Sequence, residues 1–335
     1  MASAAPIFVS QLRAELMARN RVYARAYAHV ESYGSAPVIV YEPEGLRHGN
    51  FFHPAYAAIL GQPDWLRRFD KVHAQAARSL PRPQLDPRRR WRELDSSMSS
   101  DALLMNVFCT PGVAESPALQ NALGVEADAQ PLFGWKARVP LSNGRFDRTE
   151  VDMRFGSLFV EAKLTESGFQ CRQARIVESY RDFDEVFDRD LLPRAEISTA
   201  RPRHASEFPE NASQEFESEL GDPHSFSVIE PIVLPPGEPG YACYQLIRNV
   251  LAAHATGASF CVIHDARRSD LREEWFRVMA AVKIAPLRVR LKVLTWQELA
   301  LLLPEPLQEF LDVKYGILAP GKMPSPIGDD SLRGF

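Results

Sequence analysis

The sequence predicts an α/β protein, on three observations. Residues 150–164 alternate polar and apolar side chains on either side of Gly156-Ser157, the pattern of two antiparallel strands joined by a tight turn. Residues 241–254 place apolar side chains at helical spacing, and residues 258–264 follow as a short apolar run of strand length. Ahead of these, residues 95–108 read as a capped helix with Leu103, Leu104, Val107 and Phe108 inward.

In chain order, residues 7–31 read as a helix with Arg13, Arg19, Arg21 and Arg25 at polar positions, and residues 37–63 as an irregular segment. A basic helix then runs to about Leu80, where Pro81, Pro83 and Pro87 mark a linker. Residues 1–90 are thus a mostly helical, basic N-terminal extension, and residues 91–317 the main domain. Within that domain, residues 132–141 make a first strand and 150–164 supply the second and third. Residues 195–225 are polar and acidic, so an insertion spanning about 195–238 has little to bury and is expected to be mobile. The run Pro-Pro-Gly-Glu-Pro-Gly at 235–240 stops the chain before the next helix. Beyond the strand at 258–264, residues 269–283 read as helix, 287–294 as strand and 296–303 as helix, extending the sheet. Residues 318–335 form a loose Gly/Pro-rich tail, and no internal repeat is found.

The turn at 156–157 sets the register of the hairpin. Phe155 faces Leu158, Asp152 faces Glu161, and Glu150 faces Lys163. Val151, Met153, Phe155, Leu158, Val160, Ala162 and Leu164 point to the other face, which is uniformly apolar and therefore the core side. Two directly opposed carboxylates repel each other and cost stability unless a cation sits between them. Mg2+ suits such a place, because it prefers oxygen ligands, keeps several waters and commonly takes one or two carboxylates. Lys163, one strand step past Glu161, would steer water or neutralise an anionic intermediate; a metal and a lysine beside a phosphodiester make a hydrolysis site. The competing reading is a solvated hairpin face, with Glu150 and Lys163 as a cross-strand ion pair and Arg154 partnering an acid.

Asp, eight residues, Glu, one residue, Lys, laid across a strand-turn-strand unit, resembles the signature of the PD-(D/E)XK nuclease superfamily. The order helix, three-strand meander, helix, strand resembles that superfamily too. The Ser-Ser-Asp-Ala-Leu-Leu-Met-Asn-Val-Phe and Tyr-Gln-Leu-Ile-Arg-Asn helices are similar to those of prokaryotic type II restriction endonucleases within it, over roughly residues 48–317. The resemblance implies a restriction-endonuclease-like core, a central mixed sheet flanked by helices. It also implies a metal-dependent endonuclease hydrolysing DNA, in restriction or defence. Asp152 and Glu161 would hold Mg2+ or Mn2+ with the Ala162 backbone carbonyl, and Lys163 would orient the nucleophile or stabilise developing charge.

In such enzymes an acid on the first helix often lies near the metal. Glu93 and Asp101 are both candidates, and Asp101 fits equally as a first-turn residue complementing the helix dipole. On the second helix, Gln245, Arg248 and Asn249 form a polar stripe at i, i+3 and i+4. The resemblance sets this stripe beside the metal, Gln245 as an orienting catalytic residue and Arg248 and Asn249 toward nucleic acid; the plain alternative is a solvated face. Restriction enzymes of this shape often dimerise to cut both strands, so a homodimer is compatible with the likeness.

A net charge of −4 is unusual for a DNA partner, but the distribution matters more than the sum. Between Trp65 and Arg92 stand nine basic and two acidic residues, a local +7 that leaves −11 for the remainder. Arg67, Arg68, Lys71, Arg88, Arg89 and Arg90 are the candidate phosphate contacts there, with Trp65 and Trp91 as flat surfaces beside them; a solvated basic helix face is the alternative.

The 335 residues, 45% of them hydrophobic, are enough for one large core or two modest ones. No apolar run approaches the ~18 residues of a membrane span. The N-terminus carries no secretion pattern, and four widely separated cysteines without a C-x-x-C pair fit reduced core residues, so a cytoplasmic protein with no membrane partner is expected. No Walker loop, G-x-G-x-x-G, H-E-x-x-H or G-x-S-x-G is present, and the eight histidines lack metal spacing. Two other functions compete: a nucleic-acid-binding protein on the same fold without catalysis, and a hydrolase of small phosphate compounds, for which so broad a basic segment has no use.

Overall fold

The computed structural model describes residues 5–34, 36–73, 80–197 and 238–322. A five-stranded mixed sheet lies at its centre, made of β1 (Pro131–Lys136), β2 (Glu150–Phe155), β3 (Leu158–Ala162), β4 (Ser259–His264) and β5 (Leu291–Thr295), in the order β5-β4-β3-β2-β1. The first three strands form an antiparallel meander, while β4 and β5 add in parallel to β3. Parallel neighbours need long crossovers, and α3 (Tyr244–Thr256) before β4 and α4 (Ser269–Ala281) after it supply them. The helix α2 (Ser100–Phe108) precedes the meander, so the expected order of helix, three strands, helix and strand is present.

Alternation along the central strands feeds two cores. Leu158, Val160, Ala162, Cys261 and Ile263 pack with α2, α1 (Ala5–Tyr23) and α5 (Glu305–Tyr315); Phe159, Phe260 and Val262 pack with α3 and α4. Strands covered on both sides read as continuous apolar runs, and β3 and β4 do so except at Glu161 and at Ser259 and His264, the two ends of β4.

The hairpin has the expected register over Phe155–Leu158, Arg154–Phe159 and Met153–Val160, with Gly156 in the turn at φ +57°. Met153, Phe155, Leu158, Val160, Ala162 and Leu164 lie in one core, but Val151 packs in the opposite one, with Phe159. The cause lies on the edge strand. Pairs form on either side of Gly134 but not at it, and its φ of +62° kinks β1 where it passes Asp152.

Several other elements depart from expectation. The helix over 7–31 ends at Tyr23, after which His29–Glu31 pairs with Ile39–Tyr41. The segment 37–63 is not irregular: it also holds a helix, His53–Gly61, opened by Pro54 in its first turn. The basic helix stops at Phe69, and Val72 bridges Arg92; residues 74–79 lie outside the described residues. The first strand ends at Lys136, and Val139–Pro140 turns back against Phe146–Asp147 as a separate hairpin. The strand expected from 287 begins at Leu291, after a helical turn at Ala285–Arg288.

Of the insertion, 195–197 is paired as part of Arg194–Ile197 with Glu238–Tyr241, so the Pro-Gly run enters a strand; 198–237 lies outside the described residues, as does the tail from 323. The helix α5 has no counterpart among the expected elements. Leu12, Leu16, Phe51, Tyr56 and Phe69, from the segment before residue 90, share one apolar cluster with α2, β3 and α5.

Lys314 shows how tightly α1 and α5 close. Fully buried, its Nζ donates to Asn20 Oδ1 at 2.7 Å and lies 4.1 Å from the Tyr41 ring centre, with Tyr23 and Tyr315 at 4.9 and 5.3 Å. Burial pushes its pKa well below the ordinary 10.5. The unfolded chain therefore binds this proton more tightly, and stability should rise as pH climbs from the lowered value toward about 10.5. Lys314→Met is expected to raise the melting temperature at neutral pH and to flatten that rise. Thermal melts across pH check it; a lower melting temperature with an unchanged slope would contradict it.

Candidate active site

Beyond Met153–Val160 the hairpin ladder ends, and side chains take over from backbone pairing. Asp152 Oδ2 accepts the Ala162 N–H at 2.8 Å. Glu161 is 1% exposed and Lys163 5%. Two charged groups on a strand buried on both sides must be satisfied by what covers them.

The polar stripe of α3 does the covering. Asn249 Nδ2 donates to Glu161 Oε2 at 2.8 Å, and Lys163 Nζ donates to Gln245 Oε1 at 3.0 Å. Arg248 donates through Nε and Nη2 to Asn249 Oδ1, at 3.1 and 2.8 Å, and reaches the Glu150 carbonyl at 2.8 Å. It therefore fixes the amide rather than facing outward. The backbone of Lys163 is held as well: its N–H donates to Ile263 O at 2.8 Å, and its carbonyl accepts Trp296 Nε1–H at 3.0 Å. Lys163 Nζ lies 3.1 Å from Glu161 Oε1 as an ion pair, but outside hydrogen-bond geometry, so that buried oxygen has no hydrogen-bond partner among the described residues.

A second ring of charge abuts this group. Arg68 sends Nη1 to Glu93 Oε2 at 3.1 Å and Nη2 to Asp101 Oδ2 in the first turn of α2, whose N-cap Ser99 Oγ accepts the Ala102 N–H. Lys71 Nζ bridges Glu93 Oε2 at 3.3 Å and Glu150 Oε2 at 3.2 Å. Gly134 makes room for Arg68: a Cβ there would stand 3.2 Å from Arg68 Cδ in a backbone conformation that side chains resist. Burial and the neighbouring Glu161 and Asp101 carboxylates push the Asp152 pKa well above its usual range, against the pull of Lys163 and the Ala162 N–H. Burial works against the Arg68 charge, yet Asp101 and Glu93 hold its pKa above the ordinary value.

Most of the sequence-predicted residues converge. Asp152, Glu161, Ala162, Lys163, Gln245, Asn249, Glu93 and Asp101 form one site, with both acids ahead of the meander within it. Arg68 and Lys71 reach the same place as partners of acids, not as a free phosphate-binding face. The rest of the basic segment divides. Arg67 is exposed beside Asp64 at 2.9 Å, and Arg88 and Arg90 are exposed. Arg89 instead binds both oxygens of buried Asp95 at 2.8 Å, beside His48. Trp91 is buried with its N–H on Pro81 O, and Trp65 is partly buried with its N–H on Pro131 O, so neither is an open flat surface. The alternative cross-strand pair of Glu150 and Lys163 does not form, because Lys71 takes Glu150; Arg154 meets the Gly156 carbonyl rather than an acid. Sequence reasoning missed Arg68 as a clamp, since its partners stand 25 and 33 residues away, beyond any local pattern.

No three His, Cys, Asp or Glu side chains converge to hold a metal ion among the described residues. What the site offers is a carboxylate pair, one member carrying an unsatisfied buried oxygen and the other a raised pKa. That set fits a hard divalent ion, which takes one or two carboxylates and fills its remaining positions with water.

Two adjacent strands bringing together half-buried Asp152, buried Glu161 and Lys163, backed by acids from one side and amides from a second helix, define a candidate hydrolytic centre on an α/β scaffold. The model of the family described as restriction endonuclease associating with ARP matches residues 17–316, and the chain belongs to that family. No curated protein and no solved structure matches. No helix among the described residues is long and apolar enough to cross a membrane.

Arg68→Ala would strand Asp101 and leave Glu93 with Lys71 alone, and is expected to destabilise the fold by about 3 kcal/mol in urea unfolding; a loss within experimental error would show the clamp to be dispensable. Asp152 yields a sign that can be checked. Because its folded-state pKa is raised, its contribution to stability is present below the ordinary carboxylate range and is lost as pH rises through the raised value. In EDTA, Asp152→Asn should therefore exceed wild type in stability near neutral pH and decline less with rising pH; the opposite order would contradict the assignment.

Proposed function

We propose that this chain is a Mg2+-dependent endonuclease of restriction-endonuclease-like core, cleaving DNA phosphodiester bonds in the manner implied by its resemblance to the PD-(D/E)XK superfamily. The observation that carries the reading is the pairing of half-buried Asp152 with buried Glu161, incompletely satisfied and charge-strained, with Lys163 beside it. Membership of a restriction-endonuclease family supports a nuclease or defence role, and the order of helices and strands around the site supports the core.

Asp152 and Glu161 would hold the ion together with the Ala162 carbonyl, Mn2+ serving in place of Mg2+. When bound, such an ion supplies positive charge at the scissile phosphate and eases deprotonation of the attacking water. Asn249 and the Ala162 N–H keep the two carboxylates aimed at one place, which avoids reorganisation during reaction. Lys163, aligned by Gln245, places its ammonium where charge develops on the phosphate. Glu93 and Asp101, turned toward Arg68, set the local field and shape one wall of the site.

Plasmid and linear duplex incubated with the full chain and Mg2+ should be cut, and EDTA should abolish cutting. Lys163→Ala is expected to lower the rate by about 10²–10³-fold, the usual cost of removing one charge-stabilising group. Equal cutting by wild type and Lys163→Ala would overturn the role given to this lysine, and salt-dependent binding without any metal-dependent cutting would leave a non-catalytic DNA-binding protein.

A further inference from the structure

The chain between β1 and β2 carries a second basic surface, apart from the segment at 65–92. From Trp135 to Thr149 the charged residues are Lys136, Arg138, Arg145 and Arg148 against one acid, Asp147. All four basic side chains are exposed, and among the described residues none is in an ion pair. The acid is occupied, since Asp147 accepts the Tyr180 hydroxyl and the Thr149 N–H. Two aromatic rings stand open among these cations, Trp135 at 36% and Phe146 at 42% exposed. The Arg138 guanidinium lies 4.3 Å from the Phe146 ring centre, and Arg154 lies 4.7 Å from that of Trp135.

The position of this surface follows from the sheet. Arg154 follows Asp152 by two residues on β2. Lys136 pairs across the ladder with Glu150, whose carboxylate meets Lys71 at the edge of the acid cluster. The small hairpin of Val139–Pro140 and Phe146–Asp147 then carries Arg138 and Arg145 beyond that edge, and Arg148 leads back into β2. We propose that this cation–aromatic surface is the docking face for the phosphate backbone of duplex DNA flanking the cleavage site. The proposal rests on the reading of the chain as acting on DNA. Its charge is complementary to a polyanion, its rings hold guanidinium planes in fixed orientations, and the exposed cations need no rearrangement to meet phosphate. Arg68, Lys71 and Arg89, by contrast, are already bound to acids.

Binding of a fluorescent mixed-sequence duplex to the full chain in EDTA, titrated with NaCl, tests this without cleavage. The variant carrying Lys136→Gln, Arg138→Gln, Arg145→Gln and Arg148→Gln is expected to bind about 100-fold more weakly at low salt. Its plot of log affinity against log salt should be shallower by about 3–4, at ~0.9 for each phosphate no longer neutralised. Melting temperature controls for folding. A quadruple variant that binds like wild type, or loss of binding confined to Arg88→Gln with Arg90→Gln, overturns the proposal. Duplex bound through these residues yet never cut would leave it standing while the nuclease reading fell; cutting by wild type with undiminished binding by the quadruple variant would do the reverse.

Discussion

The constraint on which the rest depends is that β3 is buried on both faces and nevertheless ends in a carboxylate and an ammonium. Ionised groups in such a place require partners supplied by the layers above and below. The site can be understood as the set of residues that meet this requirement. Asn249 and Gln245 come from α3, the Ala162 N–H engages Asp152 where the ladder opens, and Trp296 and Ile263 fix the Lys163 main chain. The arrangement stops short of neutrality. One Glu161 oxygen has no hydrogen bond among the described residues, and Asp152 is held in its protonated form more strongly than an isolated carboxylate.

Arginine serves two ends in this chain, and burial decides which. Arg68, Arg89, Arg248 and Arg268 turn inward and tie together segments distant in sequence: Arg68 links the acids ahead of the meander, and buried Arg268 reaches the Glu166 carbonyl at 2.7 Å and Asp270. These residues contribute to architecture more than to recognition. Outward-facing cations gather elsewhere, on the segment between β1 and β2. A count of basic residues along the sequence cannot separate the two kinds, because the acids that claim the first kind are brought in only by folding.

Much of the site was legible in the sequence, because its chemistry is local. A two-residue turn dictates register as far as Met153–Val160, just beyond which Asp152 and Glu161 come next on the two strands, and an i, i+3, i+4 stripe puts Gln245, Arg248 and Asn249 on one helix face. What escaped depended on long-range packing. The kink at Gly134, the inward turn of Arg68 and the burial of Trp91 follow from neighbours tens of residues away. The helix α5 and the strands before residue 50 went unassigned because short elements draw their stability from the core they join more than from their own propensity. Composition around residue 90 marks a linker through its prolines and arginines, while Phe51, Tyr56 and Phe69 ahead of it pack into the common core.

Ile197 and Glu238 are paired neighbours across a short antiparallel stem, and three residues after Glu238 the chain reaches Tyr241, just ahead of α3. Whatever lies between them must depart and return at almost the same point. Its length is then nearly decoupled from the geometry of the helix that holds Glu161 and Lys163, because enlarging a closed loop costs only a logarithmic increment of entropy. The stem thus acts as a splice point, where sequence can be gained or lost over generations without moving α3.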